Sequence, residues 1–305
     1  MRARKAILAG ALAMMVTPAF AAEFILITHS DGTDPFWPVV QRGAEDAAKQ
    51  VGATLTYRHP NRVDAPEMAQ IIEASIAQGP DAMIISILDP EVIGPAIKAA
   101  VDAGIPVVSI NSGDKFARQY GALFHVGQPE VAAGMGAGER AKAAGVTKHL
   151  CVNQEAANIA LRERCQGYAD ALGQELNMID ATNDPAEIKA RTAAALAADP
   201  SINGILATGP HPCMPAVQAV QEAGMEGTVN IGCFDLIPDI ITALKDGRVA
   251  YAVDQQQYLQ GYLPVIALDL YTKYGLLPAN DILSGPGFVT KENAEQVEKL
   301  AGTIR

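Results

Sequence analysis

Positive charge and aromatic side chains are both scarce in this sequence of 305 residues. Lys and Arg total 23 against 34 Asp and Glu, which gives a formal charge of −11 at pH 7, and Phe, Trp and Tyr make up only 5% of the chain. No basic patch or basic helix-turn-helix segment stands out, and an acidic chain of this kind is poorly suited to nucleic acid or to an anionic membrane. We therefore expect no nucleic-acid partner.

Sequence signatures of common catalytic and cofactor sites are also missing. The chain has no P-loop, no dinucleotide-binding glycine fingerprint and no G-x-S-x-G nucleophile elbow. Its five histidines are scattered without the spacing of metal ligands. The glycine-rich stretch Gly134–Gly138 lies within a helical pattern, which favours close helix packing over phosphate binding. We expect neither a cofactor nor a metal ion.

Residues 1–22 have the features of a secretory signal peptide. A basic start precedes the short apolar run Ala6–Val16, and Ala19–Ala21 has the small-x-small pattern of a cleavage site. No later stretch is apolar for long enough to span a membrane. The sequence therefore predicts cleavage near Ala21 and export to the periplasm.

Four cysteines in an exported chain point to disulfides. Cys151 begins a predicted strand and Cys165 lies early in the following helix, so we favour a Cys151–Cys165 disulfide. Cys213 and Cys233 follow neighbouring predicted strand positions. They either form a second disulfide or remain free buried thiols.

Apolar runs alternate with helical periodicity along most of the chain. The predicted strands are Phe24–Thr28, Leu55–Tyr57, Ala82–Ile87, Val107–Ile110, Leu150–Val152, Gly204–Ala207, Val229–Phe234 and Ala250–Val253. This alternation predicts an α/β fold with mostly parallel sheets. The stretch Gly79–Ile85 resembles Asp199–Ile205, which lies 120 residues later, and the repeat indicates two similar Rossmann-like lobes.

Three segments interrupt the helical pattern and predict the connections between these lobes: Gly121–Gln128, Val253–Gln257 and Gly285–Val289. With these three hinge crossings, we expect an N-terminal lobe of residues 23–127 plus 256–285. The C-terminal lobe would then contain residues 128–255 plus 286–305. Two lobes joined in this way can close around a ligand by a hinge motion.

Polar side chains follow the predicted strands at positions that the fold places at the carboxyl edges of the sheets, where open α/β sheets bind ligands. The set comprises Asp34 with Phe36 and Trp37, Asp89, Asn111, Asn153 leading to Arg162, Asn183, Asp235, and Asp254 with Gln255. If the two sheets face each other, these groups converge on one cleft. Carboxylates, amides, a guanidinium and aromatic faces suit a neutral polyhydroxyl ligand.

The polar and aromatic residues after the first and third predicted strands also have purely structural explanations. Phe36 and Trp37 could simply pack in the core at the base of the first helix, because aromatic side chains are usually buried. Asp34 could cap that helix, and Asp89 before a proline is typical of a helix cap.

For the residues further along the chain, the sequence again allows both a structural role and a ligand-binding role. Arg162 could be a solvated helix residue, as we expect Arg164 to be. Asn183 could belong only to a turn before a helix. Asp235 is harder to explain without a ligand, because it comes directly after a buried apolar run.

Over nearly its full mature length, the chain resembles the periplasmic sugar-binding proteins of the ribose-binding type, which serve ABC importers. The matching segments are Asp34–Trp37, Ala103–Asn111, Arg162–Arg164 with Gly167 and Tyr168, Gly232–Asp235, and Asp254 and Gln255 with Gln260 and Gly261. The resemblance implies the type I periplasmic binding protein fold. It also implies a monomer that delivers a small sugar or polyol to membrane permease subunits.

The resemblance implies roles for individual residues as well. In that family, aromatic residues of the first loop sandwich the sugar, and an Arg, an Asp and a Gln hold its hydroxyl groups. Carried over, these residues are Phe36, Trp37, Arg162, Asp235 and Gln255, with Asp34 at a position often held by a polar contact residue.

This chain departs from the family pattern at three places. Asn111 and Ser112 stand where the family often has Asp-Arg, and Asn183 replaces an aromatic stacking position. Gly209 and Pro210 stand where an Asn-Asp pair is frequent, so that contact is lost or is supplied by His211. Ribose specificity is therefore not expected to carry over.

Two functional classes follow from these residues. The first is a non-catalytic solute-binding protein that captures a small sugar or polyol by hinge closure. The second is a secreted carbohydrate-active enzyme, in which Asp34 and Asp235 would be the paired carboxylates. We favour the binding protein and expect no enzyme activity.

Overall fold

The computed structural model describes residues 21–305, so the signal peptide expected at residues 1–22 lies almost entirely outside the described residues. The described chain forms two sheets of six strands each. The first sheet has the order β2-β1-β3-β4-β5-β11 and is parallel throughout. Its strands are β1 (Glu23–Ile27), β2 (Thr54–Arg58), β3 (Ala82–Ser86), β4 (Val107–Ile110), β5 (His125–Gly127) and β11 (Ile282–Leu283).

The second sheet repeats this arrangement with the order β7-β6-β8-β9-β10-β12. Its strands are β6 (His149–Asn153), β7 (Met178–Asp180), β8 (Gly204–Ala207), β9 (Asn230–Phe234), β10 (Tyr251–Asp254) and β12 (Gly287–Val289). Only the edge strand β12 is antiparallel to its neighbour.

Helices connect the strands and cover both sheets. They are α1 (Phe36–Val51), α2 (Ala65–Ile76), α3 (Pro90–Asp102), α4 (Asp114–Ala117), α5 (Glu130–Ala143), α6 (Ile159–Leu172), α7 (Pro185–Ala198), α8 (Pro210–Glu222), α9 (Pro238–Asp246), α10 (Gln257–Tyr274) and α11 (Ala294–Val297), with a 3₁₀ turn at Arg118–Tyr120. Among residues 21–305, no helix combines the length and the apolar character that crossing a bilayer requires.

Each sheet is the middle layer of a three-layer sandwich. One apolar cluster joins the first sheet to α1 and α10, and another joins its opposite face to α2 and α3. The second sheet is covered by α7, α8, α9 and α11 on one face and by α5 and α6 on the other. Burial on both faces explains why the central strands read as nearly continuous apolar runs.

The chain passes between the two sheets three times. It leaves the first sheet after Gly127, returns after Asp254 so that α10 packs on α1, and leaves again between Leu283 and Gly287. Two parallel α/β lobes with three crossings confirm the predicted fold class. Helix α10 and the edge strands β5, β7, β11 and β12 were not predicted.

Glycines permit unusually close helix pairs in both lobes. A Cβ on Gly43 would overlap the backbone of α10 at Tyr258, and a Cβ on Gly261 would overlap the backbone of α1 at Val40. In the second lobe, a Cβ on Gly134 would overlap the carbonyl oxygen of Arg164. The glycine-rich stretch therefore serves close helix packing, as the sequence predicted.

Two disulfides cross-link the second lobe. Cys151 and Cys165 are bonded with their Cα atoms 5.7 Å apart, which is the pairing favoured from the sequence. Cys213 and Cys233 are also bonded, with Cα atoms 5.6 Å apart, which decides between the two alternatives left open above.

Removing the first disulfide should lower the free energy of unfolding by about 3 kcal/mol. The bond closes a loop with a sequence separation of 14, and a cross-link of this span removes about that much chain entropy from the unfolded state. Denaturant unfolding of a Cys151→Ala, Cys165→Ala double variant measures the change. An unchanged midpoint, or alkylation of both residues as free thiols in unreduced material, would contradict the prediction.

Candidate functional site

The carboxyl ends of the two sheets face a narrow cavity of about 30 Å³ between the lobes. Its walls are formed by His29, Asp34, Phe36, Trp37, Asn111, Gln154, Glu155, Asn158, Leu161, Arg164, Gly209, Pro210, Asp235 and Gln255. Ligand pockets in proteins usually begin at about 300 Å³, so a sugar-sized molecule fits here only after the lobes separate slightly. A larger hollow near Asn203 and Asn230 lies at the amino ends of β8 and β9, the opposite edge from the one where such sheets bind ligands.

Asp34 both fixes the start of a helix and lines the cavity. One carboxylate oxygen accepts a hydrogen bond of 2.8 Å from the backbone N–H of Phe36, which fixes the start of α1. The side chain is nevertheless part of the cavity wall and only 5% exposed. A structural contact therefore orients a carboxylate that faces the cavity.

Phe36 and Trp37 belong both to the hydrophobic core and to the cavity wall. They are buried in the apolar cluster under α1, and their rings meet edge to face with centroids 4.9 Å apart. The imidazole of His29 lies 4.7 Å from the Trp37 ring, again edge to face. Because these contacts hold the rings rigidly, the aromatic surface of the cavity is preformed.

The arginine of the cavity is Arg164, and the prediction of Arg162 is wrong. Arg162 is exposed, whereas Arg164 is 3% exposed and lines the cavity. Two residues correspond to about 200° around a helix, so the two side chains leave α6 on opposite faces. Arg164 lies in phase with the buried residues Leu161 and Cys165, while Arg162 does not.

Arg164 is held by three hydrogen bonds. Its Nε and one terminal nitrogen donate to the two oxygens of Glu130 at 2.7 and 2.9 Å, and the other terminal nitrogen donates to the Thr208 carbonyl oxygen at 2.7 Å. Its guanidinium also lies 4.4 Å from the centre of the Phe234 ring. A guanidinium has five N–H donors, so two remain for a ligand.

Asn111 and Asp235 occupy equivalent places in the two lobes. Each directly follows a central strand, β4 or β9, and each has the left-handed backbone conformation, with φ of 63° and 68°. Non-glycine residues rarely adopt this conformation except Asn and Asp, and it often marks functional sites. It turns both side chains towards the cavity wall, where both are at most 5% exposed.

Gln255 lies between these two residues at a hinge crossing. Its amide nitrogen donates to Asp235 at 2.8 Å, and its amide oxygen accepts from Gln260 at 3.0 Å and from Asn111 at 3.4 Å. The next residue, Gln256, has φ of 53°. The crossing therefore links the polar groups of both lobes in one hydrogen-bond network.

The sequence did not single out Glu155, Asn158 or His29. Asn158 accepts a hydrogen bond from Ala160 through its amide oxygen, so its nitrogen is free to donate to Glu155 at 2.7 Å and to Nε2 of His29 at 3.1 Å. His29 belongs to the first lobe, and the other two residues belong to the loop after β6. Extending the strand-end rule past Asn153 into that loop would have found Glu155 and Asn158, and the rule itself reaches His29, which directly follows the predicted strand Phe24–Thr28.

Asn183 does not line the cavity, contrary to its expected place in the ligand-binding set. Its amide nitrogen donates to the carboxylate of Asp31 in the other lobe at 2.8 Å. The backbone N–H of Ile159 also donates to the Leu88 carbonyl oxygen at 3.0 Å across the cleft. These bonds, together with that between Asn158 and His29, show that the lobes are closed around the cavity.

Closure perturbs the titration of the acidic groups. Burial, together with the nearby charge of Asp34, raises the pKa of Glu155 to about 8. Burial likewise raises the pKa of Asp235 to about 7 and raises that of Asp34. Burial lowers the pKa of His29 to about 3. In this closed form the cavity therefore favours protonated carboxyl groups and a neutral imidazole.

Comparison with known proteins agrees with this geometry. Residues 24–275 match the model of the periplasmic binding protein domain. A carbohydrate transporter of Acidothermus cellulolyticus 11B, solved in complex with myo-inositol, superposes with a TM-score of 0.86 at 33% identity, covering 92% of this chain and 98% of that one.

Curated proteins are similar over comparable lengths. The xylose/arabinose-binding protein of Sulfolobus acidocaldarius is 26% identical, covering 90% of this chain and 72% of its own. The ribose import binding protein of Salmonella typhimurium is 28% identical, covering 78% of this chain and 80% of its own. Because the family model spans most of the sequence and the lobes close over a site at their carboxyl edges, the chain belongs to the periplasmic binding protein family.

Proposed function

We propose that this protein binds one small sugar or polyol between its lobes and delivers it to the permease subunits of an ABC importer. The observation that carries the proposal is the closed cavity, whose wall combines aromatic rings with carboxylate, amide and guanidinium groups from both lobes. Neither lobe alone encloses a ligand. Binding and closure are therefore one event, and the ligand favours the closed form through the contacts that it gains there.

The lining matches the chemistry of a polyhydroxyl molecule. Carboxylate and amide oxygens accept from hydroxyl groups, and the free N–H groups of Arg164 donate to them. Phe36 and Trp37 provide apolar surface for the C–H faces of a ring. Asp34, Asn111, Asp235 and Gln255 keep the binding roles expected from the sequence, and Arg164 takes the role assigned to Arg162.

We infer that the moving bodies are residues 23–127 plus 256–285 and residues 128–255 plus 286–305. The membership of the strands in the two sheets and the hydrogen-bond network at Gln255 support these bounds. Export by cleavage of the N-terminal segment near Ala21 would place the protein in the periplasm, where the family acts. We also propose that the protein is a monomer.

No observation favours the alternative of a carbohydrate-active enzyme. Asp34 and Asp235 both face the cavity, but each also accepts a hydrogen bond that holds the protein scaffold. The similar proteins are named for binding and transport rather than for catalysis.

Ligand binding should change the fluorescence of Trp37, the only tryptophan in the sequence. Its ring is part of the cavity wall, so a bound ring displaces water from it and opening of the lobes exposes it. A thermal-shift screen with pentoses, hexoses, cyclitols and linear polyols identifies ligands, and calorimetry with parallel fluorescence measures them. The bound compound should be recovered unchanged.

Two results would contradict the proposal. One is calorimetric saturation without any change in Trp37 emission, which would place the ligand elsewhere. The other is chemical conversion of the bound compound, which would favour the enzyme.

A further inference from the structure

The cavity wall carries more negative than positive groups. Three carboxylates line it, those of Asp34, Glu155 and Asp235, against the single guanidinium of Arg164. None of the described residues on the wall is a lysine. Closing the lobes over a neutral sugar therefore requires that protons neutralise the excess carboxylates.

The charge of Arg164 is already balanced. Its two-point contact with Glu130 forms a buried ion pair, with both side chains at most 3% exposed. The two remaining N–H groups can bind ligand oxygens, but the guanidinium and Glu130 together contribute no net positive charge. The three wall carboxylates have no other cation among the wall residues.

His29 does not supply the missing charge. Its Nε2 lies 3.6 Å from Glu155, but the same nitrogen accepts a hydrogen bond from Asn158, whose amide orientation is fixed by Ala160. A nitrogen that accepts a hydrogen bond carries no proton. His211 is not part of the cavity wall. Its Nδ1 lies 3.3 Å from the Asn183 carbonyl oxygen at the rim of the cleft.

One oxygen of each wall carboxylate has no donor among residues 21–305. Asp34 and Asp235 each use one oxygen, for Phe36 N–H and for the Gln255 amide, and Glu155 uses one for Asn158. The three side chains are between 2% and 7% exposed, and all line the cavity. Three acceptor oxygens of these buried residues thus have no donor from the described part of the chain.

We propose, building on the sugar- or polyol-binding function above, that the preferred ligand is a polyhydroxyl molecule bearing a protonated amine, held by Asp34, Glu155 and Asp235. An ammonium group has three N–H donors and no acceptor, which matches three free carboxylate oxygens. A hydroxyl group in the same place gives one donor and brings lone pairs towards carboxylates. Buried charges are stable only when they are paired and fully hydrogen-bonded, and the ammonium satisfies both conditions.

The raised pKa values agree with this inference. In the closed, unliganded form, burial and neighbouring acids raise the pKa of Glu155 to about 8 and that of Asp235 to about 7. The charged or titratable groups that face these two carboxyls are Asp31, Asp34, His29, Arg164, Asp254 and, near Asp34, His211. A cationic ligand opposes this shift, because it brings one positive charge to a wall where three carboxyl groups face a single arginine.

Paired ligands test the inference directly. We expect the best amino compound to bind at least about tenfold more tightly at neutral pH than the compound with a hydroxyl in its place, because a charge-assisted hydrogen bond contributes about that factor or more. The probes are D-glucosamine with D-glucose, D-galactosamine with D-galactose, and amino-deoxy-inositols with the parent inositols, alongside pentoses and linear polyols. N-acetylation of the amino compound should abolish the gain.

A charge-removing variant isolates the contact. Glu155→Gln should weaken binding of the best amino compound at least about tenfold and change binding of its hydroxyl counterpart much less. Glu175→Gln is the matched control, because Glu175 is exposed and remote from the cavity wall. Circular dichroism and thermal unfolding establish that both variants are folded.

The outcomes separate this inference from the proposed function. If a neutral sugar or polyol binds and no amino counterpart exceeds it, or if Glu155→Gln leaves the preference unchanged, the amine inference is wrong and the receptor function stands. If neither series binds, the proposed function fails as well.

Discussion

Replacing Arg164 with alanine should lower the free energy of unfolding by about 3–5 kcal/mol, the usual effect of removing one partner from a buried ion pair. Glu130 is 2% exposed and would keep only the hydrogen bond from Gln128, while the Thr208 carbonyl oxygen would lose its donor. A buried charge without a partner costs far more than the pair contributes. Denaturant unfolding followed by circular dichroism measures the change.

Arg162→Ala is the matched control, because it removes the same type of side chain from the exposed face of the same helix. Substitutions at such positions usually change stability by less than about 0.5 kcal/mol. Arg164→Lys keeps a positive charge beside Glu130 and should recover much of the stability, although a lysine lacks the planar fork. Equal losses for Arg162→Ala and Arg164→Ala would show that the buried pair does not have this role.

The difference between these two arginines also shows what the sequence could supply. The resemblance located the right segment but not the right residue, because it gave no helical phase. The phase was nevertheless present: Leu161, Cys165 and Tyr168 form an apolar i, i+4, i+7 series, and position 164 belongs to the same face. Applying that periodicity would have predicted that Arg164 lies on the buried face of the helix.

The positions of Asp34, Asn111, Asp235 and Gln255 on the cavity wall followed from a simpler rule. Parallel strands end at one edge of a sheet, so polar residues in the loops that follow the strands gather there. The rule is independent of helix phase and loop conformation. It failed for Asn183, because the strand before it, β7, lies at the edge of its sheet and places Asn183 at the rim of the cleft.

Short edge strands could not be predicted from pattern. His125–Gly127 and Gly287–Val289 have three residues each and lie within segments that the sequence marks as linkers. Such strands form because a neighbouring strand offers unpaired backbone groups, which is a tertiary effect that three residues do not encode. Helix α10 was missed because Pro264 and many apolar residues around its circumference obscure any single face.

The unliganded protein should open as the pH rises from about 6.5 to 8.5. In the closed form, burial raises the pKa of Glu155 to about 8 and that of Asp235 to about 7, whereas a carboxyl group in the open, solvated cleft returns to its ordinary value near 4. The closed form therefore binds more protons than the open form between these values. Raising the pH removes those protons and favours opening.

The expected change is about 2–3 kcal/mol over this interval, at about 1.4 kcal/mol for each proton and pH unit. The ratio of open to closed molecules should thus rise about 30- to 150-fold. His29 contributes little here, because burial lowers its pKa to about 3 and an exposed imidazole is already largely neutral above pH 6.5. The radius of gyration from small-angle scattering should increase with pH.

Variants and ligands test whether Glu155 and Asp235 cause this pH-dependent opening. Glu155→Gln and Asp235→Asn together remove both titrating groups, so the radius of gyration of that double variant should no longer depend on pH, whereas Glu175→Gln should behave like the parent.

A neutral ligand favours the form that holds the extra protons, so its binding should take up protons from the buffer and weaken as the pH rises. A cationic ligand allows one of these carboxylates to stay ionised and should therefore take up fewer protons. Calorimetry in two buffers of different ionisation enthalpy measures that uptake. A parent protein whose radius of gyration is constant from pH 6.5 to 8.5 without ligand would show that closure does not bury these carboxyl groups in solution.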